Sequence, residues 1–187
     1  MRNNYNINDL NENTMKEEAM ENTQVKNTQN SRMKCEIEAL LRSTQREGVE
    51  NLIELLDKHG FYDFKPRHTR HHKWHGGLAQ HSLGTYYFAK SKGYDVPEDS
   101  LILATLLHDL CKFTALLPGL DRGRHGHRSK AMLIALGVDL TDRELFAIRY
   151  HMRSGRSSDE LYLVLREADK ADAKNPNNKY MLNLLNL

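Results

Sequence analysis

Residues 101–110 read LILATLLHDL, and this run constrains the chain more than any other. Residues 97–100, Pro-Glu-Asp-Ser, look like a helix start before it. A surface helix shows one apolar stripe, whereas this segment is apolar nearly all round, so it belongs at the centre of a helical bundle. It nevertheless ends on His108-Asp109, and an unpaired charge is costly in such a place. The cost falls away if both side chains coordinate a cation. Adjacent helical residues point about 100° apart, so that cation must lie between their directions. Further ligands must come from other helices. The candidates are His81, inside GGLAQHSLG, and Asp169, inside LREADKADA. Imidazole nitrogen with carboxylate oxygen suits Mn, Fe, Co, Ni or Zn better than a purely oxygen-seeking ion.

The rest of the chain is also helical in texture. Leucine occurs 27 times and valine five, and few runs alternate with period two. Ile37, Leu40, Leu41, Val49, Leu52, Ile53, Leu55 and Leu56 recur at helical spacing until Gly60. Residues 61–76 read as an ordered loop, and Arg128 to Leu136 as a short helix. Thr141 with Glu144, and Ser157 with Glu160, have capping-box spacing ahead of two more helices. The expectation is an all-α bundle of about six or seven helices over residues 35–175. Residues 1–34 hold too little apolar bulk to offset their ordering entropy and read as a disordered or loosely docked Asn-rich tail. Residues 176–187 read as an apolar C-terminal tail.

Lys plus Arg number 27 against 25 Asp plus Glu, a net charge of +2. That balance argues against duplex DNA or a membrane surface as partner. Two cysteines cannot make a disulfide framework, and the N-terminus has no apolar core of a secretory signal, so a cytoplasmic setting is expected. The skew is in histidine: ten in all, nine of them between His68 and His151.

Taken in order, His81, His108-Asp109, His125, His151 and Asp169 resemble the signature of the HD-domain superfamily of metal-dependent phosphohydrolases. The local words match too: GGLAQHS, LATLLHDLCK, RHGHRSKAML, IRYHM and LREADKADA. The resemblance covers roughly residues 65–175 and implies the HD helical bundle. It also implies that His81, His108, Asp109 and Asp169 are the ligands of a minimal metal site. His125 and His151 match histidines that bind a second metal in dinuclear members, with Asp109 bridging. Lys112 matches a lysine that meets substrate phosphate. Cys111 stands where the family commonly has glycine, and the fourth word carries one histidine where some relatives have two. The metal content is therefore expected to be one or two divalent transition ions, Mn or Fe favoured, with Ni, Co or Zn as alternatives.

Such a centre hydrolyses phosphate esters by activating water. The expected substrate is a small phosphorylated molecule, a nucleotide first and short RNA or DNA second. Asp109 orients the water, and His125, if not a ligand, serves as general acid. Lys112, Arg124, Arg128 and Arg153 offset phosphate charge. In the loop, His72 is expected near substrate phosphate, with Trp74 stacking on a base or packing on the core. The alternative from another class is a non-catalytic HD-type module that binds nucleotides or scaffolds partners. The intact ligand set favours the enzyme. Oligomeric state is not legible.

Overall fold

The computed structural model describes residues 24–25, 28–66, 71–114, 116 and 124–175. Among the described residues there are seven α-helices, two short 3-10 turns and no strand. The helices are α1 (28–43), α2 (Val49–Lys58), α3 (Gly77–Lys90), α4 (Glu98–Leu107), α5 (His125–Ala135), α6 (Asp142–Tyr150) and α7 (Glu160–Lys174). The 3-10 turns are Phe61–Asp63 and Leu110–Lys112. None of the described helices is long and apolar enough to cross a membrane.

Helix α4 is the central element. Every residue from Ser100 to Leu107 is buried, and α3, α6 and α7 pack around it. Each leucine so buried contributes about 1.5–3 kcal/mol, which favours placing this all-apolar helix inside. Helix α3 lies along both α4 and α7, and α5 packs on α6 and on the turn Leu110–Lys112. These neighbours bring the end of α4, the start of α5 and the end of α6 together beside the interiors of α3 and α7.

The Thr141 capping box forms as the spacing predicts. Glu144 N donates to Thr141 Oγ1 at 3.2 Å, and Thr141 N donates to Glu144 Oε2 at 2.7 Å. The other oxygen of the fully buried Glu144 accepts from Ser100 Oγ (2.7 Å) and Arg46 Nη2 (3.0 Å). One carboxylate thereby ties α6 to the start of α4 and to the α1–α2 connection.

Three expectations need correction. Helix α7 is capped by Asp159, which accepts from Tyr162 N at 3.2 Å, while Ser157 Oγ accepts from Asp159 N. The shorter carboxylate one residue before Glu160 reaches the exposed N–H groups that Ser157 was expected to cap. Helix α5 begins at His125 rather than Arg128. The tail boundary drawn at residue 34 falls inside α1, because Met33 and Ile37 share one face and both are buried. Residues 1–23 and 176–187, and with them most of both expected tails, lie outside the described residues.

Candidate metal centre

Six side chains converge around the end of α4. His81 comes from the first half of α3, Asp169 from α7, His125 from the first residue of α5 and His151 from the end of α6. His108 and Asp109 follow Leu107, where α4 stops. Asp109 has φ −110° and ψ 14° and opens the turn Leu110–Lys112. This break resolves the problem of neighbouring residues pointing 100° apart, since Asp109 is no longer on the helix.

The two oxygens of Asp109 face different partners. Oδ2 lies 3.5 Å from His81 Nε2 and 3.4 Å from His108 Nε2. Asp169 Oδ1 joins that group, 3.3 Å from His81 Nε2 and 3.7 Å from His108 Nε2. Oδ1 of Asp109 lies 3.4 Å from His125 Nε2 and 3.8 Å from His151 Nε2, and those two nitrogens are 3.1 Å apart. In each set the candidate ligand atoms lie within 4.8 Å of one another.

The imidazoles are oriented from behind. His81 Nδ1 donates to Asp172 Oδ2 (2.7 Å), His108 Nδ1 to the Thr105 carbonyl (2.8 Å) and His151 Nδ1 to the Ile148 carbonyl (2.7 Å). Those oxygens only accept, so Nδ1 carries the proton and the neutral ring keeps its lone pair on Nε2, aimed inward. His81 Nε2, His108 Nε2 and Asp109 Oδ1 are all buried without a hydrogen-bond partner. Their 3.3–3.8 Å approaches to Asp109 Oδ2, Asp169 Oδ1, His125 and His151 are close enough for attraction but fall short of hydrogen-bonding geometry. Buried polar atoms are rarely left so. The Nε2 atoms of His81 and His108, gathered with Asp109 Oδ2 and Asp169 Oδ1, fit a borderline divalent cation, and the orphaned Asp109 Oδ1 faces the second set, with His125 and His151.

The electrostatics agree with that fit. Burial opposes charge on His81 and His108, but Asp109 and Asp169 outweigh it. His81 is held well above its ordinary value and His108 is raised to about 9. Burial also opposes charge on the two aspartates, yet the imidazoles, and Lys112 beside Asp109, hold both well below the usual carboxylate range. The carboxylates favour positive charge at Nε2, whether a proton or a metal ion brings it. Burial and the neighbouring His108 push His151 down to about 4. Lys112 Nζ pairs with Asp109 Oδ2 and is the least buried partner of that carboxylate apart from His125.

The remaining expected residues fall into two groups. Arg124, Arg128 and Arg153 line a cleft of about 560 Å³ together with His125, and Arg149 joins them. Of the loop histidines, His68 lies outside the described residues and His75 is exposed beside Asp63. His72 corrects the expectation of a phosphate contact. It is 1% exposed, with Nε2 turned inward to 3.2 Å from Asp172 Oδ2 and Nδ1 2.8 Å from His71 Nδ1. Burial holds its ring neutral, its pKa down to about 2. Trp74 rests on His72, ring centroids 5.1 Å apart, and its Nε1 donates to Gln80 Oε1 while its outer edge stays exposed. His71, His72 and His81 also form a compact imidazole group, but both nitrogens of His81 are already directed, one to Asp172 and one to the centre. His127 faces Arg149 and Tyr150 rather than the centre.

Asp172 is the residue that sequence reasoning missed. It is fully buried one turn beyond Asp169, and a Cβ on Gly84 would sit 2.0 Å from its Oδ1. Only glycine on α3 leaves room for that carboxylate. The available signal was the three-residue spacing of Asp169 and Asp172, the same helix face.

An all-helical bundle with histidines and aspartates gathered around the end of its central helix has groups able to hold a metal ion. The chain matches the HD domain family over residues 78–174, more than half of its length, and it belongs to that family. The family is one of metal-dependent phosphohydrolases, and the chain has His/Asp groups able to hold the metal. No curated protein and no solved structure shows a significant match to it.

Proposed function

We propose that this chain is a metal-dependent phosphohydrolase acting on a small phosphate ester, a nucleotide in the first instance, with two divalent transition ions, Mn or Fe. His81, His108, Asp109 and Asp169 would hold one ion, and Asp109, His125 and His151 the other. The observation that carries this reading is the division of Asp109, whose two oxygens address two separate ligand sets. When bound, the metal supplies Lewis-acid polarisation of a phosphoryl oxygen and a water of lowered pKa.

The side chains do the remainder. Asp109 Oδ1, buried and without a hydrogen bond of its own, accepts a hydrogen bond from the attacking water and orients it. The water oxygen forms the new bond to phosphorus and releases a proton to solvent, the ester P–O bond breaks, and the leaving oxygen takes up a proton from solvent. Lys112, partly exposed beside Asp109, balances phosphate charge at the mouth of the centre. Arg124, Arg128 and Arg153 do so on the His125 side.

A panel of nucleoside mono- and triphosphates, cyclic nucleotides and short RNA, assayed with Mn, tests the reading. Turnover of at least one nucleotide, abolished in Asp109→Ala, is expected. A metal-loaded protein that binds a nucleotide tightly and never turns it over would make the chain a binding module instead.

A further inference from the structure

The four histidines of the centre are not held alike. His81, His108 and His151 are each fixed at Nδ1 by an oxygen behind the ring. Among the described residues no hydrogen bond holds His125 at Nδ1, and at 25% its side chain is the most exposed of the four. Its place therefore depends on the backbone that carries it. His125 is the first residue of α5, and helix ends fray. The brace lies across from it, on the turn Leu110–Lys112. Cys111 Sγ donates to the His125 carbonyl at 3.1 Å, and Cys111 N donates to Ser129 Oγ at 3.2 Å. A carbonyl only accepts, so the thiol hydrogen lies in the first contact. Ser129 is fully buried one turn after His125, on the same face of α5. Cys111 is buried and follows Asp109 by two residues. The two bonds clasp the turn that carries Asp109 to the helix that carries His125.

We infer that Cys111 and Ser129 are positioning residues that set His125 against Asp109 and His151 and so hold the second ligand set together. The inference rests on the proposed function in taking those three residues as one set. Both positioning residues act through the start of α5. The first set does not depend on them, because His81 and Asp169 project from within α3 and α7 and His108 follows α4 directly. A loosened clasp lets α5 draw away from Asp109 Oδ1, which lies 3.4 Å from His125 Nε2. It leaves Asp109 Oδ2 with His81 and His108. The thiol is also what separates this chain from the glycine that commonly stands here in the family. Glycine at position 111 would keep the backbone bond to Ser129 and lose the one to His125.

Two measurements on the full chain test the inference. One is calorimetric titration of the metal-stripped protein with Mn alone. The other is the nuclear Overhauser contact between the His125 and His151 rings in the metal-free protein. Cys111→Ala should weaken the second ion about fivefold, the scale of one hydrogen bond, and leave the first within about twofold. Ser129→Ala should weaken the second ion at least about tenfold, because it leaves the buried Cys111 N–H unpaired. Cys111→Ser keeps a donor and should return the second ion to within about twofold of wild type. The ring contact should fade in both alanine variants and persist in Cys111→Ser. A wild type that binds one ion while its ring contact still follows the clasp overturns the two-ion reading and leaves the inference in place. Second-ion affinity and ring contact both unchanged in the alanine variants overturn the inference and leave the two-ion reading standing. The inference is equally overturned if both ions weaken in parallel, which would make the pair ordinary packing, or if Cys111→Ser behaves as Cys111→Ala.

Discussion

His81 Nδ1 donates to Asp172 Oδ2 across 2.7 Å, joining α3 to α7 directly behind the metal centre. The bond fixes which nitrogen of His81 faces inward and raises the basicity of that nitrogen. Partners of this kind are typically worth 10- to 100-fold in metal affinity. Asp172→Asn should therefore weaken metal binding by about that factor while leaving the helical signal intact, as measured by competition with a metal-sensitive dye. Unchanged affinity would make Asp172 a packing residue. Gly84→Ala should act in the same direction, because its Cβ would displace the carboxylate.

The buried Glu144 predicts a stability effect remote from the centre. Arg46→Met leaves the carboxylate with Ser100 Oγ and Thr141 N but removes its cation. Loss of a hydrogen bond to a charged group should cost about 2–3 kcal/mol, read as a lower urea midpoint. A midpoint equal to wild type would show that solvent screens the partly exposed Arg46 side chain.

Stability should fall on mild acidification. Burial holds His71 and His151 down to about 4 and His72 to about 2, against an ordinary 6.5. Between pH 6.5 and 5 the unfolded chain takes up protons at these positions and the folded chain does not, so stability drops as pH falls. His81 and His108 have raised values, so their contribution is fully present below 6.5 and is lost only as pH rises through the folded values. Asp109 and Asp169 contribute above 3.8 and lose that contribution only below it. Neither pair alters the slope in this window. A loss of about 2–4 kcal/mol is expected in denaturant titrations. His72→Asn, tolerated at φ +53°, should flatten the slope. A pH-independent midpoint would contradict the buried neutral rings.

The sequence made the central helix legible because an all-round apolar run has one stable place, and it made the Thr141 cap legible because capping is local chemistry. The order of histidines and aspartates pointed to the residues that meet at the end of α4. What stayed hidden depends on tertiary contact. The break after Leu107 turns Asp109 off the helix, and nothing in LLHDLCK announces it. Asp172 lies in a lysine- and aspartate-rich word that reads as a solvated face, and only the approach of Gly84 buries it. His72 takes a left-handed backbone that its sequence position does not signal.

The central claim is that Asp109 serves two ions at once, one with His81, His108 and Asp169 and the other with His125 and His151. Elemental analysis of the full chain, purified without chelator, tests it most directly across wild type, His151→Ala and Asp109→Ala. Two equivalents of transition metal are predicted for wild type, about one for His151→Ala, and almost none for Asp109→Ala. Wild-type metal content in Asp109→Ala would contradict the claim outright.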